Sequence, residues 1–162
     1  MYDAFLKLIY PDGRQLRGAS LDPYHVGWID LESVSIAAPA PGAHDLPAND
    51  TTLGTSATMV KLADMTTAPL VLACGAGQEF GAAVLEIVRG GPDAQRITCR
   101  FEGVTVASVL PVDWPAADGL PREQLQIDYR KAGFSRGPAG IARLVGGGPT
   151  AAAAVLRAAM GS

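Results

Sequence analysis

Few residues of this chain have side chains that do chemistry. Ser20, Asp22 and His25 stand close together, and a Ser, a His and an Asp are the parts of a nucleophile, its base and the group that orients the base. Such a triad is a spatial object, and nothing else in the sequence supports this one. His25 and His44 are the only histidines, and neither has a second His or a Cys at metal-ligand spacing. Both read as solvated loop histidines, and no metal is expected. Cys74 as a nucleophile needs an activating base, and the sequence supplies none beside it. Cys74 and Cys99, the only cysteines, make no disulfide framework and are expected as reduced, buried thiols, Cys74 in the core beside Leu72. The run Gly75-Ala76-Gly77-Gln78-Glu79-Phe80-Gly81 looks faintly like a dinucleotide loop, but its glycines follow a helix and precede a strand, the reverse of what that loop needs. It reads as a helix stop and a turn, and no cofactor is expected. Asn49-Asp50-Thr51 is a glycosylation sequon, expected to stay bare without a secretory signal. No residue is assigned to catalysis, a metal or a cofactor, and the chain is not expected to be an enzyme.

The totals narrow the partners. The chain has 162 residues, which suits one domain and a tail, and at 48% hydrophobic it can bury a core. Charged residues are 18% and the net charge is -3, which argues against nucleic acid or an anionic membrane, since both call for a basic patch. No apolar run approaches the ~20 residues that span a bilayer. Met1-Tyr2-Asp3-Ala4-Phe5 lacks the basic and apolar regions of a signal peptide. The expectation is a protein that stays in the cytoplasm or leaves by a route that reads the folded chain.

The periodicity is mostly that of strands. Ala4 to Tyr10 reads as a strand, Pro11-Asp12-Gly13 as a turn, and Arg14 to Ala19 as its hairpin partner. A strand opens at Trp28. Ile29 and Leu31 share one parity and Val34 and Ile36 the other, so a β-bulge is expected near Glu32-Ser33, which leaves Ser35 on the polar face. Residues 38–56 read as a long loop with two large apolar side chains, Leu46 and Leu53. The stretch from Lys61 to Gly90 reads strand, short helix, strand. Thr66 and Thr67 offer N-cap hydroxyls, Pro69 fits the first turn, and Gly75 and Gly77 can stop the helix in a left-handed conformation. Gly90-Gly91-Pro92-Asp93 is a second hairpin turn. Ile97, Cys99 and Phe101 then alternate with Thr98, Arg100 and Glu102. Gly103 is expected to mark a bulge, Thr105 to Leu110 to continue the sheet, and Leu125 to Tyr129 to form the final strand. The sum is a mainly β domain over 1–134, a small barrel of two packed antiparallel sheets with one short helix. An Ala/Gly-rich, partly helical extension follows over 135–162.

One stretch resembles a known family. Asp64-Met65-Thr66-Thr67-Ala68-Pro69-Leu70-Val71-Leu72-Ala73-Cys74-Gly75 is similar to the Asp, hydroxyl residues, Pro, Leu-rich turn and Ala-Cys of the Hcp family, the tube protein of bacterial type VI secretion systems. Val84 to Gly91 looks like that family's T-L-E-L-C-R-A-G strand, and Asp3 to Leu8 like its opening D-x-F-L-K-I. Trp28 to Leu31 with Ser33 and Ser35 looks like its W-I-E-V-x-S-x-S strand. Leu120-Pro121 with Glu123, Tyr129 and Lys131 is similar to its L-P-x-E…N-Y-x-K ending. The chain departs in placing Pro69 one position late, in Ala132-Gly133-Phe134, and in the segment from Gly137.

The resemblance implies a homo-hexameric ring, rings stacked into a hollow tube, and small effectors as cargo. Spike and sheath components would be its other partners, and its location cytoplasmic and then extracellular without a signal peptide. Within that reading Ser35 is the candidate for the lumen, Arg100 and Asp128 for lumen or exterior, and Leu46 and Leu53 for contact with a neighbouring subunit or ring. The other readings are a monomeric β-barrel that binds a ligand or acts as a secreted effector, and a phage-like tail tube.

Overall fold

The computed structural model describes residues 2–36, 55–90, 94–113 and 115–138. The strands are β1 (Tyr2–Ile9), β2 (Gln15–Leu16), β3 (Ile29–Leu31), β4 (Ser33–Ile36) and β5 (Thr55–Leu62), followed by α1 (Thr67–Ala76). After the helix come β6 (Glu79–Arg89), β7 (Gln95–Val112), β8 (Arg122–Tyr129) and β9 (Lys131–Pro138). All pairings are antiparallel and join into one nine-stranded sheet in the order β2-β1-β6-β7-β8-β5-β4, with β3 on β1 and β9 on β7. The strands expected as two sheets are thus one hydrogen-bonded sheet. It is not closed as one continuous ladder, because the 29–36 segment changes partners at Glu32, from β1 to β5.

Where the parity led to the expectation of a β-bulge, the structure has this change of partner instead. β3 ends at Leu31, β4 starts at Ser33, and Leu31 and Val34 are both buried while Ser33 and Ser35 are exposed. One core fills the sheet, with Leu6 and Leu8, Met59, Leu85, Cys99, Phe101, Leu125 and Ile127 all at 0% exposure.

The first turn forms as expected: the Gly13 N–H donates to Tyr10 O at 2.9 Å, and the Asp12 carboxylate accepts from Arg14 N and Nε. Pairing back is confined to Gln15 and Leu16. Beyond them the chain crosses Trp28 so closely that a Cβ on Gly18 would lie 2.3 Å from the Trp28 carbonyl oxygen.

The helix plugs the core with Leu70 and Ala73, and Gly77 stops it with a φ of 61°. Leu72, expected inside, is 72% exposed, and Cys74 is only half-buried. Over a single ten-residue helix the buried side is the one facing β7, and that side falls on Leu70 and Ala73. Thr66 is the N-cap residue, but its hydroxyl makes no cap bond.

Two further expectations change. Gly103 has a φ of 63°, yet the register of β6 against β7 is unbroken around it, Phe80 facing Val104 and Ala82 facing Glu102. The register shift falls between Val106 and Ser108, against β8. The strand ending at Tyr129 is not the last. After a break at Arg130, β9 runs along β7 from Lys131 to Pro138. Leu46, Leu53, His44 and the segment from residue 139 lie outside the described residues.

Candidate functional site

Strand alternation sends one face of β4, β5, β8 and the second half of β7 to the core and leaves the other free. On the free face Ser35 is directly opposite Thr58, Thr58 opposite Gln126, and Gln126 opposite Ser108. The row on one side is Ser33, Val60, Gln124 and Leu110; the row on the other includes Ser56, Asp128 and Thr105. Ser35 therefore sits in a lattice of hydroxyls and amides in which Asp128 is the one charged side chain among those just named. The structure brings Ser35 and Asp128 to the same face. Arg100 is elsewhere, in the row of Lys7, Val84 and Gly133 across β1, β6 and β9.

Ser20, Asp22 and His25 do come together, but not as a triad. His25 is buried, not solvated. Its Nδ1 lies 2.6 Å from Asp22 Oδ2 and its Nε2 lies 2.7 Å from Glu86 Oε2. The ring stacks on Phe5 at 3.9 Å and meets the edge of Trp28 at 4.9 Å, and Arg96 Nε approaches the same Glu86 oxygen at 3.4 Å. Ser20 Oγ accepts the Asp22 N–H at 3.3 Å. Both imidazole nitrogens are spent on carboxylates, so neither faces a nucleophile or a substrate. The trio pins the 18–28 loop to the outer side of β1 and β6. The hydrogen bond from His25, with help from the Tyr24 N–H, holds the Asp22 carboxyl below its ordinary range.

A second polar cluster lies at the start of α1. Lys61 is fully buried, and its Nζ donates to Glu123 Oε1 at 2.5 Å, Leu62 O at 2.9 Å and Asp64 Oδ1 at 3.1 Å. Thr67 Oγ1 donates to Glu123 at 2.8 Å and accepts the Asp64 N–H at 3.1 Å. Asp64 Oδ1 also takes the Thr66 hydroxyl and N–H, which is why that hydroxyl makes no cap bond. The cluster ties β5, β8 and the helix start together and has every charge paired, as a buried ion pair requires.

Sequence reasoning passed over Lys61, Glu123 and Glu86. The first two carried a signal. Lys61 keeps the buried phase of Ala57 and Met59, and Glu123 keeps that of Leu125 and Ile127. Opposite charges on the core phase of two strands announce a buried pair. Among the described residues no group of three or more His, Cys, Asp or Glu is placed to hold a metal ion.

Residues 5–135 match the family described as "Type VI secretion system effector, Hcp". Solved structures with the same fold include Hcp1 from Salmonella typhimurium, 20% identical over 88% of this chain and 91% of that one, with a TM-score of 0.64. Hcp1 from Escherichia coli EAEC 042 is 18% identical over 89% and 98%, at 0.68, and the secreted protein Hcp3 from Pseudomonas aeruginosa is 11% identical over 90% and 98%, at 0.66. No match was found among curated proteins. The chain belongs to the Hcp family of type VI secretion proteins.

Proposed function

We propose that this chain is the tube subunit of a type VI secretion system: six copies close a ring, rings stack head to tail, and the hollow tube carries small effectors. In this reading it is made in the cytoplasm, works with spike and sheath components, and is expelled without a signal peptide. The observation that carries the reading is the polar lattice around Ser35, in which Asp128 is the one charged side chain of the rows named above. A lumen shared by water and varied cargo needs hydrogen-bonding groups without a strong field of one sign. That face offers serine, threonine and glutamine side chains in adjacent register over four strands. Ser35 is assigned to the lumen, and Leu46 and Leu53 to contact with a neighbouring subunit or ring. A contact between two different surfaces that closes on itself makes such a ring. The test is negative-stain electron microscopy of the purified chain with native mass alongside. Rings with an open centre and six chains are expected. A monomer over a wide concentration range would remove the reading and favour a ligand-binding or effector role.

A further inference from the structure

The buried His25 ring has a carboxylate oxygen at each nitrogen, Asp22 Oδ2 at 2.6 Å from Nδ1 and Glu86 Oε2 at 2.7 Å from Nε2. Both are the short distances of charge-assisted hydrogen bonds. A carboxylate only accepts, and a neutral imidazole has one N–H and one bare lone pair. Two such contacts therefore need two protons on the ring, or one on a carboxyl. The hydrogen bond from His25 holds the Asp22 carboxyl below its ordinary range, so Asp22 is not the acid. Arg96 Nε lies 3.4 Å from the same Glu86 oxygen, and a protonated Glu86 would leave that guanidinium facing a neutral group. With the ring as imidazolium, the charges of Asp22, His25, Glu86 and Arg96 sum to zero, as a buried cluster requires. Of the charges on the strands nearby, Lys7 on β1 lies over the Trp28 ring at 5.5 Å, and Asp30 on β3 is exposed opposite Phe5.

The two ends of this bridge differ. The Glu86 side chain is 13% exposed and has Arg96 beside it, whereas the Asp22 side chain is 34% exposed and belongs to the loop itself. When the ring gives one proton to water, one nitrogen faces a carboxylate lone pair to lone pair. The remaining proton belongs on Nε2, because Glu86 is enclosed and Asp22 can turn outward and be hydrated. That turn frees the ring on one side and also gives up the Tyr24 N–H, which Asp22 Oδ2 accepts at 3.0 Å. The main-chain bonds from Gly27 N to Ser20 O and from Gly18 N to Gly27 O are then what hold the loop.

We propose that the 18–28 loop is a pH-released strap: His25 bridges Asp22 and Glu86 as the imidazolium ion, and loss of one ring proton frees the Asp22 end while the Glu86 end stays. The strap is independent of the tube reading. The test uses NMR of the full chain from about pH 6 to about pH 9, the range around neutrality in which a histidine works as a switch. Ring nitrogen shifts count the protons on His25, and amide exchange, corrected for its own base catalysis, reports opening of the loop. Both ring nitrogens are expected to carry a proton at the lower end. As one is lost, protection of the Tyr24 and Gly27 amides is expected to fall about tenfold or more, while Leu85 and Cys99, paired between β6 and β7, keep theirs. An asparagine amide can donate to an unprotonated nitrogen, so Asp22→Asn is expected to hold the same protection at both ends of the range. Glu86→Gln makes the same exchange at Nε2 and serves if Asp22→Asn does not fold. A singly protonated ring beside a protonated Glu86 at the lower end would overturn the ion. Protection that stays level across the range, or that falls equally in wild type and Asp22→Asn, would overturn the release.

Discussion

Lys61 and Glu123 are direct cross-strand neighbours on β5 and β8, and their side chains meet at 2.5 Å on the core side of the sheet. The ammonium is fully buried and the Glu123 side chain 7% exposed. Removing one member of such a pair leaves the other charge without its partner in a poor solvent, which costs about 3–5 kcal/mol. Lys61→Met is expected to destabilise the domain by that amount in urea unfolding, because Glu123 and Asp64 then lose their shared cation. Lys61→Met with Glu123→Leu is expected to recover part of the loss. A single-variant cost below about 1 kcal/mol would show that the cluster is not what fastens α1 to the sheet.

Acid should loosen the 18–28 loop in a particular window. The folded pKa of Asp22 is lowered, first by its hydrogen bond from His25. A group lowered on folding adds stability that is present above its unfolded pKa, about 3.9, and is lost as pH falls through the folded value. The thermal midpoint is therefore expected to fall as pH drops below about 4, and Asp22→Asn to flatten part of that acid limb. Asp118, held well below the usual carboxylate range by Arg122 and the Leu120 N–H, adds to the same limb. An acid limb identical in wild type and Asp22→Asn would remove Asp22 from the account.

Gly18 is set by backbone proximity. Its N–H donates to Gly27 O at 2.7 Å, and a Cβ would meet the Trp28 carbonyl oxygen and carbon at 2.3 and 2.6 Å. Main chain cannot rotate aside as a side chain does, so Gly18→Ala must push the 18–28 loop off β1. The cost expected from forced overpacking is roughly 1–3 kcal/mol, with loss of the His25–Glu86 contact as a second readout. The ring-current shift of the His25 protons over Phe5 reports that contact by NMR. A variant with the wild-type midpoint and the wild-type shift would refute the steric argument.

The elements that follow a period were legible. Ile97, Cys99 and Phe101 alternate because one face of β7 is dry, and Gly77 stops α1 where the chain must turn left-handed. The parity break between Leu31 and Val34 even located the change of strand partner. Long-range pairing was less legible: Glu86, the partner of His25, stands 61 residues away and no local pattern specifies it, while Lys61 and Glu123, 62 residues apart, show only through their core phase. A lysine or glutamate on a strand reads as solvent-facing until its phase is compared with its neighbours. β9 escaped because Lys131-Ala132-Gly133-Phe134 has no clean alternation, and its place follows from continuing the β8 pairing along β7. The polar lattice around Ser35 was half visible, since each residue's face could be read but not which strands lie side by side.

The two cysteines should differ sharply in reactivity. Cys99 has 0% exposure in the core row of Leu85 on β6, and burial pushes its thiol far above the ordinary range. The thiolate is the species that attacks an alkylating reagent, so a thiol both unreachable and held protonated does not react. Cys74 sits on α1 at the margin of the core, half-buried, with its sulfur 3.4 Å from Ala107 O. Iodoacetamide at neutral pH is therefore expected to add one label per folded chain, at Cys74, and a second only when urea unfolds the domain. The rate of the second addition in dilute urea then reports how often the core opens. Two labels at equal rates on the native chain would mean that the sheet around Cys99 opens faster than a packed core allows.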